Sequence, residues 1–172
     1  MDAQLADAPV DGVDGAPQLE ASYWPGLRVA GLIGLVVVVL DQLTKEWALD
    51  ALVDGPIEVV GSLQWNLGFN SGTAFSFGEG RGGLISLIGL VAVLVLLAGV
   101  LRWPGKLPKV AAGLVVGGAL GNLLDRFSRG PGLLDGAVVD FIDVQWWPIF
   151  NVADIAICVG AGLLAVLSFR NP

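Results

Sequence analysis

The sequence predicts an all-α membrane protein of four transmembrane helices, with a small β cradle and a second loop outside the membrane. Three observations carry that prediction. Of 172 residues, 55% are apolar and only 15% are charged, against about 25% charged in soluble domains. Separate stretches near residues 27–49, 82–101, 110–127 and 149–169 are each long and apolar enough to cross a bilayer. Between the first two, residues 56–78 change to a period of two.

Residues 1–23 come first and stand apart. They hold Asp2, Asp7, Asp11, Asp14 and Glu20 and no base, so −5 of the net charge of −7 belongs to them. They lack the basic n-region of a signal peptide and read as a disordered acidic tail. The membrane domain is expected over residues 24–172. The link between the second and third spans holds Arg102, Lys106 and Lys109 and no acid. Positively charged short loops stay in the cytoplasm. Arg28 and Arg170 agree with that placement. Both termini are then cytoplasmic, and loops 50–81 and 128–148 face outward.

Depth follows from the helical rise. Asp41 lies 13 residues after Arg28, Asp125 16 after Lys109 and Asp154 16 before Arg170. These separations put all three carboxylates roughly 20–24 Å above the inner boundary. Carboxylates in a membrane are costly unless used or satisfied, so a shared polar site near the outer face is expected. Gly113, Gly117 and Gly121 recur every four residues, a small-residue ridge for close helix packing. Asn122 and Asp125 share that helix's face, and Asn151 and Asp154 repeat the spacing. The plainer account of each Asn-x-x-Asp is a polar pair that glues helices together.

In the outer ribbon, Ile57, Val59, Leu63, Trp65, Leu67 and Phe69 alternate with Glu58, Ser62, Gln64, Asn66 and Asn70. Gly61-Ser62 and Asn70-Ser71-Gly72 read as turns, with Gly72 and Gly78 as hinge positions. The aromatic-rich face suits a lipid interface. In the second loop, "GAVVDFIDV" at 136–144 is short, apolar and β-branched. If it is extended, Asp140 and Asp143 point to opposite sides, and only one faces the site.

Several chemistries are excluded. There is no histidine, which removes Ser-His-Asp and Cys-His catalysis and any His-ligated metal. The single cysteine, Cys158, permits no intrachain disulfide and reads as a small buried apolar residue. No basic footprint for nucleic acid is present. Two carboxylates in a dry pocket can share one proton and activate water, with no metal, cofactor or covalent intermediate. The candidates are Asp41, Asp125, Asp140 and Asp154. Arg126 follows Asp125 directly and Lys45 stands four residues after Asp41, so both acids are expected to be held ionised for structure. Asp140 and Asp154 have only apolar neighbours in the chain, and the reading leans to them. A proton-coupled transporter, an all-carboxylate metal-dependent hydrolase and a non-catalytic assembly subunit are the rivals.

The motifs "DQLTK" (41–45), "NSGTAFSF" (70–77), "GGALGNLLDR" (117–126), "GAVVDF" (136–141) and "FNVAD" (150–154) occur in that order. With them the chain resembles the lipoprotein signal peptidase, or signal peptidase II, family. The resemblance implies a four-helix aspartic endopeptidase of the bacterial cytoplasmic membrane, with its site near the outer face. Such enzymes remove signal peptides from prolipoproteins, cutting just before a diacylglyceryl-modified cysteine. The dyad falls on Asp140 and Asp154. Asp41, Lys45, Asn70, Gly72, Asn122, Asp125, Arg126 and Asn151 match the supporting and substrate-binding set. Lipid-modified prolipoproteins and membrane lipid are the implied partners, a monomer is expected, and the family is the target of globomycin. Thr73 departs from the Ala usual in the second motif, and the acidic tail is longer than expected.

Overall fold

The computed structural model describes residues 24–72, 103–132, 134 and 136–170, with six further residues at 88, 89, 91, 93, 95 and 98. The elements in order are α1 (Trp24–Ala51), β1 (Ile57–Val60), β2 (Leu63–Asn70), α2 (Leu107–Ser128), β3 (Val138–Asp143) and α3 (Val152–Arg170). Among the described residues, three helices are long and apolar enough to cross a membrane. The span expected at 82–101 falls mostly outside the described residues, and its six described positions are helical. The acidic tail, Thr73 and Gly78 also lie outside them.

In lipid a backbone must satisfy its own polar groups, which is why even the β-branched run Val36–Val39 is helical. α2 packs against both α1 and α3. Its apolar window is 44% buried against 17% for each of the others, so α2 is the central helix of the three. The glycine ridge explains the fit to α1. A Cβ on Gly113 would lie 2.6 Å from the Ala30 carbonyl, one on Gly117 2.7 Å from the Gly34 carbonyl, and one on Gly121 2.5 Å from Asp41 Oδ2. These pairs advance together along both chains, so α1 and α2 run parallel. Gly118 meets Ala153 and Gly160 meets Ala111, so α3 runs antiparallel to α2. Leu32, Leu35 and Leu43 of α1 are more than half exposed and form a lipid-facing side.

The three strands form one antiparallel sheet with β2 in the centre. Gly61, at φ +58°, makes the β1–β2 turn. Trp65 and Leu67 pack with Ala48, Leu52 and Phe141, seating the sheet on the end of α1. Trp47, Trp65 and Phe141 cluster with ring centroids 5.8–6.1 Å apart, Trp47 meeting the other two edge to face. A register shift between Trp65 and Gly68 ends the simple alternation. Phe69, on the face that suits a lipid interface, is 62% exposed.

The second outer loop, expected beside the β cradle, contributes β3 to the same sheet, because its β-branched run pairs with β2. Two expectations need correction. The last helix begins at Val152, not 149, because Phe150 is held in an extended bridge to Ile142. Cys158 is exposed, not buried, because it lies on the side of α3 turned away from α2.

Candidate active site

The site forms where the C-terminal halves of α1 and α2 meet the start of α3 and the middle of β3. Lys45 of α1 is fully buried. Its Nζ lies 2.8 Å from Asp41 Oδ2, 2.8 Å from Asp125 Oδ2 and 3.0 Å from Asn122 Oδ1. One ammonium thus joins two helices. Asp41 Oδ1 accepts the Ala153 N–H at 2.9 Å, satisfying an orphan donor in the first turn of α3. Asp125 Oδ2 accepts the Val139 N–H at 3.1 Å and ties β3 to α2.

The start of α3 is a capping box. Asn151 Oδ1 accepts the Asp154 N–H at 2.9 Å, and Asp154 Oδ2 accepts the Asn151 N–H at 3.2 Å. Asn151 Nδ2 donates to Asp140 Oδ1 at 2.6 Å and to Asn122 Oδ1 at 3.1 Å. Asn122 Nδ2 donates to Asp154 Oδ1 at 2.9 Å. Because Lys45 can only donate, it fixes which end of the Asn122 amide faces it. The NH₂ end is thereby turned to Asp154.

Asp140 and Asp154 therefore meet amides, whereas Asp41 and Asp125 meet a cation. Asp140 is buried, and Asn70 and Asn151 hydrogen-bond to it. Burial, reinforced by the charge of Asp154, pushes Asp140 up to about 7. Asp143, three residues on, points the other way. It accepts from Gln64 at 2.7 Å and Asn66 at 3.0 Å, and these bonds hold its carboxyl below the usual range. The odd separation divides the two acids as the pleat requires.

Asn70 Oδ1 also accepts the Gly72 N–H at 2.9 Å, and Gly72 takes φ +92°, so the Asn-Ser-Gly turn closes as its residues demand. A cavity of about 270 Å³ opens beside the carboxylates, lined by Asn70, Asn122, Arg126, Asp154 and apolar side chains including Leu123 and Ile157. Arg126 is 7% exposed, and its Nη1 has no hydrogen-bond partner among the described residues.

Arg126 was expected to hold Asp125, and it does not. Adjacent residues on a helix diverge, while residues four apart meet. Arg129, four residues after Asp125, takes that place at 3.0 Å and also pairs with Glu46. Besides Arg129, two contributors escaped the sequence reading. Gln42 Nε2 reaches Asp125 Oδ1 at 3.1 Å and the Gly121 carbonyl at 3.2 Å. Gly136 runs so close to α2 that a Cβ would lie 2.4 Å from the Asp125 carbonyl. The i,i+4 spacing of Asp125 and Arg129 was a usable signal; nothing local marks Gln42 or Gly136. Among the described residues, no three His, Cys, Asp or Glu side chains gather as a metal-holding group.

Fold and site together define a multi-span membrane protein with a buried carboxylate site beneath a small sheet. Residues 33–170 match the family model described as signal peptidase (SPase) II. The lipoprotein signal peptidase of Mycobacterium tuberculosis (strain ATCC 25618 / H37Rv) is 42% identical over 144 residues, covering 83% of this chain and 71% of its own length. That of Rhodococcus jostii (strain RHA1) is 45% identical over 141 residues, covering 80% and 70%. A bacterial membrane enzyme solved by the in meso method at 2.3 Å resolution superposes with a TM-score of 0.72 at 28% identity, covering 83% of this chain and 88% of that one. The chain belongs to the signal peptidase II family of membrane peptidases.

Proposed function

We propose that the protein is an aspartic endopeptidase that removes signal peptides from prolipoproteins, with Asp140 and Asp154 as its dyad. The observation that carries the dyad is the division of carboxylates. Asp41 and Asp125 are spent on Lys45, while Asp140 and Asp154 meet amides and Asp154 lines the cavity.

With one proton between them, the ionised carboxylate takes a proton from water as the water oxygen attacks the scissile carbonyl carbon. The protonated carboxyl gives its proton to the carbonyl oxygen. The tetrahedral intermediate then collapses, the C–N bond breaks, and a proton returns to the leaving amine. A value near 7 for Asp140 supports a pair that keeps one proton at neutral pH. Asn122 and Asn151 hold the two carboxylates in place. The unpartnered Nη1 of Arg126 would receive a peptide carbonyl of the substrate. Scission falls just before the diacylglyceryl-modified cysteine, whose acyl chains stay in the bilayer beside the apolar wall of the cavity. The basic link 102–109 is placed in the cytoplasm and the sheet outside, with residues 82–101 as a further span.

The test is cleavage of a diacylglyceryl-modified prolipoprotein, read by gel shift with EDTA present throughout. Wild type is expected to cut, while folded Asp140→Asn and Asp154→Asn are inert. Normal cutting by Asp140→Asn would remove it from the dyad. Wild type that cuts only when EDTA is left out would refute the metal-free mechanism.

A further inference from the structure

We propose that the end of the bundle opposite the carboxylate site binds an anionic phospholipid of the adjoining leaflet. There the loop leading into α2 meets the last turns of α3 around a cavity of about 440 Å³. Trp103, Lys106 and Leu107 line one side, and Leu167 and Ser168 the other. The walls are mostly apolar with a polar portion, as a glycerophospholipid needs where acyl chain joins headgroup.

Charge selects the lipid class. Because α1 and α2 are parallel and α3 is antiparallel, Arg28, Lys106, Lys109 and the position of Arg170 all fall at this end, and Arg102 directly precedes the loop. Among the described residues, every acid lies on the far half of its helix or in the segments beyond it. The two lysines of the loop differ in what they are free to do. Lys109 is nearly buried, donates to the Trp103 carbonyl at 3.0 Å, and lays its stem against Gly26 of α1. It fastens the loop that forms the wall. Lys106 is exposed and makes no ion pair among the described residues. It stands at the start of α2 without capping it by its side chain. A cation left over at the rim of an apolar cavity, beside a tryptophan of the kind that settles at headgroup level, is what a phosphate diester with acyl chains fits. Basic pockets between spanning helices take anionic headgroups in this way.

Brominated lipids test the inference through Trp103. The full chain is reconstituted in phosphatidylcholine nanodiscs, and phosphatidylglycerol or phosphatidylcholine with brominated acyl chains is titrated in. Quenching assigned to Trp103 is the difference between wild type and Trp103→Phe. Wild type is expected to favour the anionic lipid about fivefold, the scale of one cation near a membrane surface. Lys106→Gln brings the ratio close to one, and Lys106→Arg restores it. Equal quenching by both lipids in wild type overturns the proposal, as does a preference that Lys106→Gln leaves intact. A preference that appears only after residues 2–22 are deleted overturns it in favour of that acidic segment as the occupant.

Discussion

Replacing Lys45 with methionine keeps the length of the side chain and removes its charge. In the wild type, Lys45 and Arg129 oppose Asp41 and Asp125 inside the bundle. Without Lys45, Asp41 has no cation among the described residues. Asp125 keeps only Arg129, which it shares with Glu46. Breaking a buried pair by removing one partner costs about 3–5 kcal/mol, because the other charge stays buried. At about 2–4 °C per kcal/mol for a chain of this size, the unfolding midpoint falls by about 6–20 °C. The assay is thermal unfolding in detergent, followed by tryptophan fluorescence. Adding Asp41→Asn to Lys45→Met removes the stranded charge while keeping an oxygen for the Ala153 N–H, so much of the midpoint returns. Cleavage does not return with it. The Asn122 amide has still lost one of the two donors, Lys45 Nζ and Asn151 Nδ2, that turn its NH₂ toward Asp154, and the weakened orientation lowers the rate. A midpoint for Lys45→Met within about 2 °C of wild type would refute the energetic argument. Full activity in the stabilised double variant would refute the positioning argument.

Two further outcomes are expected. Gly118→Ala puts a Cβ 2.3 Å from the Ala153 carbonyl, which overpacks the α2–α3 contact by about 1–3 kcal/mol or more; cleavage should fall further than the midpoint predicts, since Ala153 adjoins Asp154, and an unchanged rate at permissive temperature would show that the start of α3 adjusts freely. The pH dependence follows from Asp140, raised from 3.8 to about 7: if the dyad must hold one proton, kcat/KM declines roughly tenfold per unit above about pH 7. The folded protein binds that proton more tightly than the unfolded chain, so this group's contribution to stability is complete below about pH 4 and is lost as pH rises to about 7. In Asp140→Asn that slope in the unfolding midpoint disappears, and a slope identical to wild type would assign the proton to another group.

Much of this architecture was legible from periodicity and spacing. The Gly113–Gly117–Gly121 ridge and the Asp41–Lys45 pair are repeats of four, which a helix turns directly into a shared face. The opposite facing of Asp140 and Asp143 needed only the pleat. What stayed hidden was long-range. That Lys45 also serves Asp125, 80 residues away, depends on how closely two glycine-bearing helices approach. The register shift between Trp65 and Gly68 is a property of the paired sheet and not of β2 alone. The position of Asn151 as a cap depended on Phe150 being drawn into the sheet. Arg126 misled because adjacency in sequence was read as contact.

The arrangement also explains why a site with so many acids needs one lysine. An isolated buried carboxylate demands a cation, a donor network or a proton. Lys45 pairs with two of the four acids, and both serve the scaffold: Asp41 holds the start of α3 and Asp125 holds β3. Those are the two elements that carry Asp154 and Asp140. The remaining pair is given amides instead, from Asn70, Asn122 and Asn151. Amides orient a carboxylate without neutralising it, so the pair can meet its remaining electrostatic demand by holding a proton. A second cation within bonding distance of Asp140 or Asp154 would favour full ionisation and discharge that proton. The spare guanidinium of Arg126 lies at the cavity wall, where its Nη1 makes no such bond. The charged residues that build the scaffold and the acids that can move a proton are thus separated by a single layer of asparagines.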